Sequence, residues 1–164
     1  MVHIITGARD AGKTSAVLSL HLQLGGCGIA SVKDFTAEGF RGYNALCLET
    51  GEVRPLARTS HHLPRQWDQF YSFGRFSFSR EGLLFASSVL ASAAVSSCTP
   101  VFLDEAGRLE LEGKGFACEL RALLRSEKEV YITCRNKFFD KMRKEYTIEE
   151  YREIDAQEFP LFYK

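Results

Sequence analysis

An excess of charge of either sign is the first thing missing: 21 Lys and Arg balance 21 Asp and Glu across 164 residues, and the pI is near 6.9. That excludes the broad positive field on which non-specific nucleic-acid binding depends, so no nucleic-acid partner is expected. Long hydrophobic runs are missing as well. The longest apolar stretch, Gly82 to Val95, is interrupted by Ser87, Ser88 and Ser92 and is too short to span a bilayer. Met1-Val2-His3-Ile4-Ile5 carries no basic n-region and no cleavage-site pattern. A soluble cytoplasmic protein is the expectation. Metal-ligand spacing is also absent: Cys27, Cys47, Cys98, Cys118 and Cys134 are odd in number, none pairs as C-x-x-C, and no His stands at ligand spacing from them. They read as small buried hydrophobes in a reducing compartment. With 45% hydrophobic and 26% charged residues, what remains is an ordinary globular composition, sized for one domain over residues 1–164.

Short apolar runs alternate with helical patterns along the chain. His3 to Thr6 is a β-prone run stopping at Gly7. Thr14 to Leu24 has Val17, Leu18, Leu20 and Leu24 near helical spacing and is closed by Gly25-Gly26. Cys27 to Val32 is a second apolar run, and Arg41 to Leu48 with Val53 to Ala57 predicts a hairpin around Thr50-Gly51-Glu52. Thr59 to Trp67 reads as a loop, and Arg75 to Ser79 as a strand with Phe76 and Phe78 on one side. Ser79 suits an N-cap for an Ala- and Ser-rich helix to about Ser96. Val101-Phe102-Leu103, after Pro100, is apolar enough for a central strand buried on both faces. Phe116, Leu120, Leu123 and Leu124 mark an amphipathic helix; Glu129 to Thr133 is the next strand, Asn136 to Lys144 a helix and Tyr151 to Ile154 a last strand. No internal repeat or low-complexity tract interrupts this order. The alternation predicts an α/β domain with a mostly parallel sheet flanked by helices and an inserted antiparallel hairpin.

Gly7-Ala8-Arg9-Asp10-Ala11-Gly12-Lys13-Thr14 fits G-x-x-x-x-G-K-[ST] without a mismatch, between a strand and a helix. Gly7 and Gly12 are expected to permit the backbone angles that turn successive N–H groups inward. Those donors and the positive end of the following helix suit a β-phosphate. Lys13 is then placed between the β- and γ-phosphates, the Thr14 hydroxyl is a Mg²⁺ ligand, and Ser15 completes the binding segment. Asp104 and Glu105 end the buried run Val101–Leu103, at the strand tip where ligands of open α/β sheets bind. Asp104 is the second expected metal ligand, through a water of the octahedral shell. Glu105 is placed to orient or deprotonate the attacking water, making Lys13 and Glu105 the candidate catalytic pair.

These residues carry a family resemblance. Gly7–Thr14, followed by Leu103-Asp104-Glu105-Ala106-Gly107-Arg108-Leu109-Glu110-Leu111, is similar to the small THEP-type nucleoside-triphosphatases, whose second motif reads approximately D-E-I-G-K-M-E-L. Gly28-Ile29-Ala30-Ser31, Gly39-Phe40-Arg41-Gly42-Tyr43 and Arg54-Pro55-Leu56-Ala57-Arg58 resemble further segments of that family, as does Gly74-Arg75-Phe76-Ser77-Phe78 before the long helix. The match runs over most of Met1 to Leu124. The resemblance implies a RecA-like P-loop core and Mg²⁺-dependent hydrolysis of ATP, GTP and other nucleoside triphosphates. Val32-Lys33-Asp34 departs from the family's acidic pair and Arg, Ala106 and Arg108 replace its Ile and Lys, and the tail after Cys134 matches poorly.

Other features are weaker. Arg9, Arg41, Arg58, Arg80, Arg108 and Arg135 are candidates for a charge-stabilising finger, each read first as a solvated surface arginine. Glu110 reads as a tie for its loop. Trp67, Phe70, Tyr71, Phe73, Phe76 and Phe78 are expected to pack beneath a hairpin, with a nucleobase platform as the alternative. His61 and His62 read as a solvated pair. Lys137, Lys141, Arg143 and Lys144 read as a solvated helix face, with a nucleotide lid as the alternative. Asn136-Lys137-Phe138-Phe139 begins like a guanine-reading N-K-x-D element but ends in Phe, so base preference is not legible. The pattern also suits a P-loop kinase acting on a hydroxyl acceptor, or a slow nucleotide-dependent switch for a protein partner.

Overall fold

The structure is a computed structural model and describes residues 1–159. In chain order its first half comprises β1 (Val2–Gly7), α1 (Lys13–Leu24), β2 (Cys27–Thr36), β3 (Gly39–Cys47), β4 (Val53–Thr59), β5 (Gln69–Phe73) and β6 (Phe76–Ser79). There follow α2 (Arg80–Val95), β7 (Val101–Leu103), α3 (Arg108–Leu111), α4 (Ala117–Arg125), β8 (Val130–Arg135), α5 (Phe139–Glu145) and β9 (Tyr151–Asp155). The described strands form one nine-stranded sheet in the order β5-β6-β4-β3-β2-β7-β8-β1-β9. From β2 to β9 every pairing is parallel; from β2 to β5 every pairing is antiparallel.

Residue types explain the layering. Val101, Phe102 and Leu103 are completely buried because helices cover both faces of β7. Phe102 packs with Ala16, Val17 and Leu20 of α1, whereas Val101 and Leu103 pack with Leu90 of α2 and with Leu120 and Leu123 of α4. Small residues bring α2 close: a Cβ built on Gly82 would stand 2.1 Å from the Pro55 carbonyl oxygen. Ser79 caps that helix as expected, its hydroxyl accepting from the Gly82 N–H at 3.1 Å. No described helix is long and apolar enough to cross a membrane.

Several expectations are corrected. β2 runs on to Thr36, because its outer half pairs with β3 beyond the reach of the parallel sheet. The expected hairpin is present as β3–β4, but the antiparallel part is larger, since β5 and β6 add to its edge. Polar side chains build that edge: Trp67 Nε1 donates to Ser77 Oγ, which donates to Gln69 Oε1. Phe76 and Phe78 do share a face, but it is Ser77 and Ser79 that are buried. Asn136 to Lys144 divides into a 3-10 turn, Asn136–Phe138, and α5. The cysteine expectation holds for Cys47 and Cys134, which are buried thiols, and fails elsewhere: Cys118 is exposed, and Cys27 and Cys98 are disulfide-bonded. Those two lie 71 residues apart, and the parallel pairing of β2 with β7, which sets Cys27 beside Val101, brings them together.

The cap on α2 gives a direct test of this part of the fold. Ser79→Ala removes one acceptor from a buried helix start and should cost about 1 kcal/mol. Thermal unfolding should then shift down by roughly 2–4 °C, and an unchanged midpoint would contradict the cap.

Candidate functional site

The loop between β1 and α1 takes its shape from Gly12, which lies at φ 90° where side chains are strained. The second left-handed residue is Asp10 at φ 62°, not Gly7. Gly7 is needed for space instead: a Cβ there would stand 3.1 Å from that of Ala11. Lys33 of β2 reaches Asp10 at 2.8 Å, and this contact holds the Asp10 carboxyl below its usual range. Lys13 is buried, and its Nζ donates to the carbonyls of Ala8 at 2.7 Å and Gly7 at 3.3 Å. The first N–H groups of α1 have no intrahelical partners and form the cradle's positive end. A cavity of about 440 Å³ lies over them, lined by Arg9 to Ser15 and closed by Ser31, Lys33, Tyr43, Glu105 and Arg135.

Sheet order brings the acidic tip to this cavity. Strand β8 separates β1 from β7, so the ends of three adjacent parallel strands meet over the loop. Asp104, only 2% exposed, follows β7 and is enclosed by donors. The Thr14 hydroxyl donates to Oδ2 at 2.7 Å, the Ser31 N–H donates to the same oxygen at 3.0 Å, and the Thr133 hydroxyl donates to Oδ1 at 2.7 Å. Burial pushes the Asp104 carboxyl up, and these donors and Lys13 oppose the push. Glu105 stands at φ 67°, with its N–H donating to Thr133 Oγ1 at 2.7 Å. Burial, then the neighbouring Asp104 charge, raises the Glu105 carboxyl; Arg135 and Lys13 work against them. Thr14 and Asp104 together offer hard oxygen donors, a hydroxyl and a carboxylate, which suit Mg²⁺ completed by phosphate and water.

The sequence candidates separate clearly. Gly7 through Ser15 form the loop and helix start; Lys13, Thr14 and Glu105 line one cavity, and the buried Asp104 is joined to it through the Thr14 hydroxyl. Among the arginines, Arg135 lies opposite Gly7 in the β1–β8 register and lines the cavity; Arg9 lines it too, with its side chain largely exposed. Arg41 is held by Asp34 at 2.6 Å, Arg80 lies 3.3 Å from Asp68, and Arg108 is paired with Glu112 at 2.8 Å. Arg58 is not a surface residue. It is buried, 2.8 Å from Asp34, and donates to Asn44 Oδ1 and to the carbonyls of Tyr43 and Ala57.

Glu110 is the tie expected of it, accepting from the N–H groups of Gly107 and Phe116. Only part of the aromatic cluster is core: Phe78 packs against the main core, Phe70 is exposed, and Tyr71, Phe73 and Phe76 are half-buried. His61 is exposed, whereas His62 sits 2.8 Å from Thr59 Oγ1. Lys137, Lys141 and Lys144 are exposed as expected, but Arg143 is half-buried with its guanidinium 4.2 Å from the Tyr151 ring centroid.

Thr133 and Ser31 were not among the sequence candidates. The legible signal for Thr133 was a hydroxyl ending a fully apolar strand, one residue before Cys134-Arg135. Thr133→Val keeps the volume but leaves the Glu105 N–H and one Asp104 oxygen unpaired, a cost of about 1–3 kcal/mol. Turnover should fall roughly 10- to 100-fold in steady-state phosphate release, and wild-type turnover would contradict the bridge.

No curated protein sequence matches the chain. Among solved structures it is similar to a human cancer-related nucleoside triphosphatase, at 19% identity and a TM-score of 0.66, over 94% of this chain and 87% of that one. It is also similar to THEP1 from the hyperthermophile Aquifex aeolicus, at 20% identity and a TM-score of 0.69, over 95% and 90% of the two chains. Both likenesses bear on the fold. The family model for NTPase matches residues 2–158, well past the motifs that end near Leu124. The chain therefore belongs to the NTPase family, the THEP-type P-loop enzymes that hydrolyse nucleoside triphosphates.

Proposed function

We propose that the chain acts as one domain over residues 1–164 and hydrolyses nucleoside 5'-triphosphates, ATP and GTP among them, to diphosphate and phosphate with Mg²⁺ as cofactor. The observation carrying this reading is the unbroken chain of hydrogen bonds from Thr14 through Asp104 and Thr133 to the Glu105 backbone. It ties the phosphate cradle to the acidic tip in one rigid unit. The loop N–H groups and the buried Lys13 ammonium neutralise charge on the β- and γ-phosphates. Thr14 and Asp104 would hold Mg²⁺, which when bound would supply positive charge against that building on the phosphate oxygens. Glu105 accepts a hydrogen bond from the attacking water and aligns it with the γ-phosphorus. Its left-handed backbone turns the residue out of the β7 direction, and Thr133 fixes that turn. Arg135 stabilises charge on the transferring group from within the same chain.

Two variants and one metal removal test this reading. Lys13→Ala removes a charged donor and should weaken nucleotide binding roughly 10- to 100-fold in a calorimetric titration. Glu105→Gln should bind Mg-ATP normally yet turn over about 10²- to 10⁴-fold more slowly. Excess EDTA should abolish phosphate release, and Mg²⁺ should restore it. Near wild-type turnover by Glu105→Gln would overturn the role of that carboxylate.

A further inference from the structure

A second cavity, of about 380 Å³, extends beyond the triphosphate site just described, and its size is that of a small-molecule site. It shares Arg9, Ser31, Tyr43, Glu105 and Arg135 with the phosphate cavity, so the two spaces adjoin across one wall. Its opposite wall is the β5–β6 hairpin, where Tyr71, Phe73, Phe76 and Phe78 are half-buried and line open space. Such rings are costly to leave uncovered and offer flat faces to a planar ligand.

Charge distinguishes this cavity from a bare apolar groove. Arg9, Arg75, Arg108, Arg135 and Lys137 line it against only Glu105 and Glu110, in a chain whose net charge is +0. Both Glu110 oxygens already accept backbone N–H groups. Two of the cations are set on the aromatic wall: the Arg75 guanidinium lies 5.2 Å from the Phe76 ring centroid, and that of Arg108 lies 5.1 Å from the Phe73 centroid. Arg75 pairs with no carboxylate among the described residues, and Arg108, whose Nε–H is held by Glu112 at 2.8 Å, keeps its terminal NH2 groups for phosphate. The Tyr71 hydroxyl is buried and donates to no acceptor among the described residues, and burial pushes it up to about 12 against the nearby Gly115 N–H, so it stays a neutral donor.

We propose that this cavity binds a second small molecule of the nucleoside monophosphate class, its base against the Phe73 and Phe76 rings and its phosphate on Arg75 and Arg108. Tyr71 supplies a donor to a polar edge of the same ligand. The proposal rests on the hydrolysis reading for the identity of the neighbour, a nucleoside triphosphate in the cradle, and on nothing else in it.

The test is calorimetric titration of AMP, GMP, CMP and UMP into the full chain, with and without saturating Mg²⁺ and a non-hydrolysable triphosphate analogue. At least one monophosphate should bind the analogue-loaded protein at one equivalent. Adenosine and ribose 5-phosphate, each lacking half of the ligand, should bind at least about tenfold more weakly. The double variant R75E/R108E should lose about tenfold or more in monophosphate affinity while its analogue affinity stays within about twofold. Phe76→Leu, which keeps an apolar filler in the hairpin, should weaken the monophosphate and spare the analogue in the same way. Absence of monophosphate binding in both states, or binding unmoved by R75E/R108E, would overturn the site. Failure of the analogue to bind, with R75E/R108E-sensitive monophosphate binding intact, would instead overturn the hydrolysis reading and leave the second site standing.

Discussion

A carboxylate as deep as Asp104, at 2% exposure, is tolerable only where donors surround it. The fold supplies three from three separate segments: the start of α1 through Thr14, the middle of β2 through Ser31, and the end of β8 through Thr133. Satisfying that one group fixes the distances among the cradle, the acidic tip and the neighbouring strands. Removing any donor leaves a buried oxygen short of a partner and frees the tip to shift. The geometry proposed for catalysis is thus a consequence of how a single buried charge is paired.

The sheet's two halves have different tasks. The parallel half, β2 to β9, presents strand ends to the phosphate cavity, as open α/β sheets do. The antiparallel half raises a wall beside it, and buried polar contacts keep that wall in register. Arg58 is the main one, bonding Asn44 of β3 while lying 2.8 Å from Asp34 of β2. Asp34 also holds Arg41, so the strand carrying Tyr43 is tied to the strand carrying Ser31. The β5–β6 hairpin then hangs on the far edge and brings its aromatic side chains round to the Glu105 side.

Much of this was legible in the residues. The glycine, lysine and threonine spacing of 7–14 located the cradle, and the all-apolar run 101–103 ending in Asp104-Glu105 located the tip. The helix cap at Ser79 was equally plain, because a hydroxyl before a long small-residue helix has one good use. What was not legible depends on pairing between distant segments. Thr133 is one hydroxyl among many until β8 is known to sit between β1 and β7. Arg58 resembles any surface arginine until β2 and β3 are known to lie beside its own strand, β4. Composition makes the aromatic cluster around 67–78 look like core throughout, yet its strands form an edge hairpin in which Phe78 meets the core and the buried positions of β6 are Ser77 and Ser79. Cys27 and Cys98 are no pair in sequence, and the alignment of β2 with β7 makes them one.

The central claim is spatial: the cradle after β1 and the tip after β7 serve a single triphosphate. A crystal structure with Mg²⁺ and a non-hydrolysable triphosphate analogue tests it most directly. The account predicts the β- and γ-phosphates on the loop N–H groups and Lys13, the metal between Thr14 and Asp104, and the Glu105 carboxylate facing the γ-phosphorus. An analogue bound away from the loop, or a Glu105 carboxylate turned from the γ-phosphate in the loaded site, would contradict it.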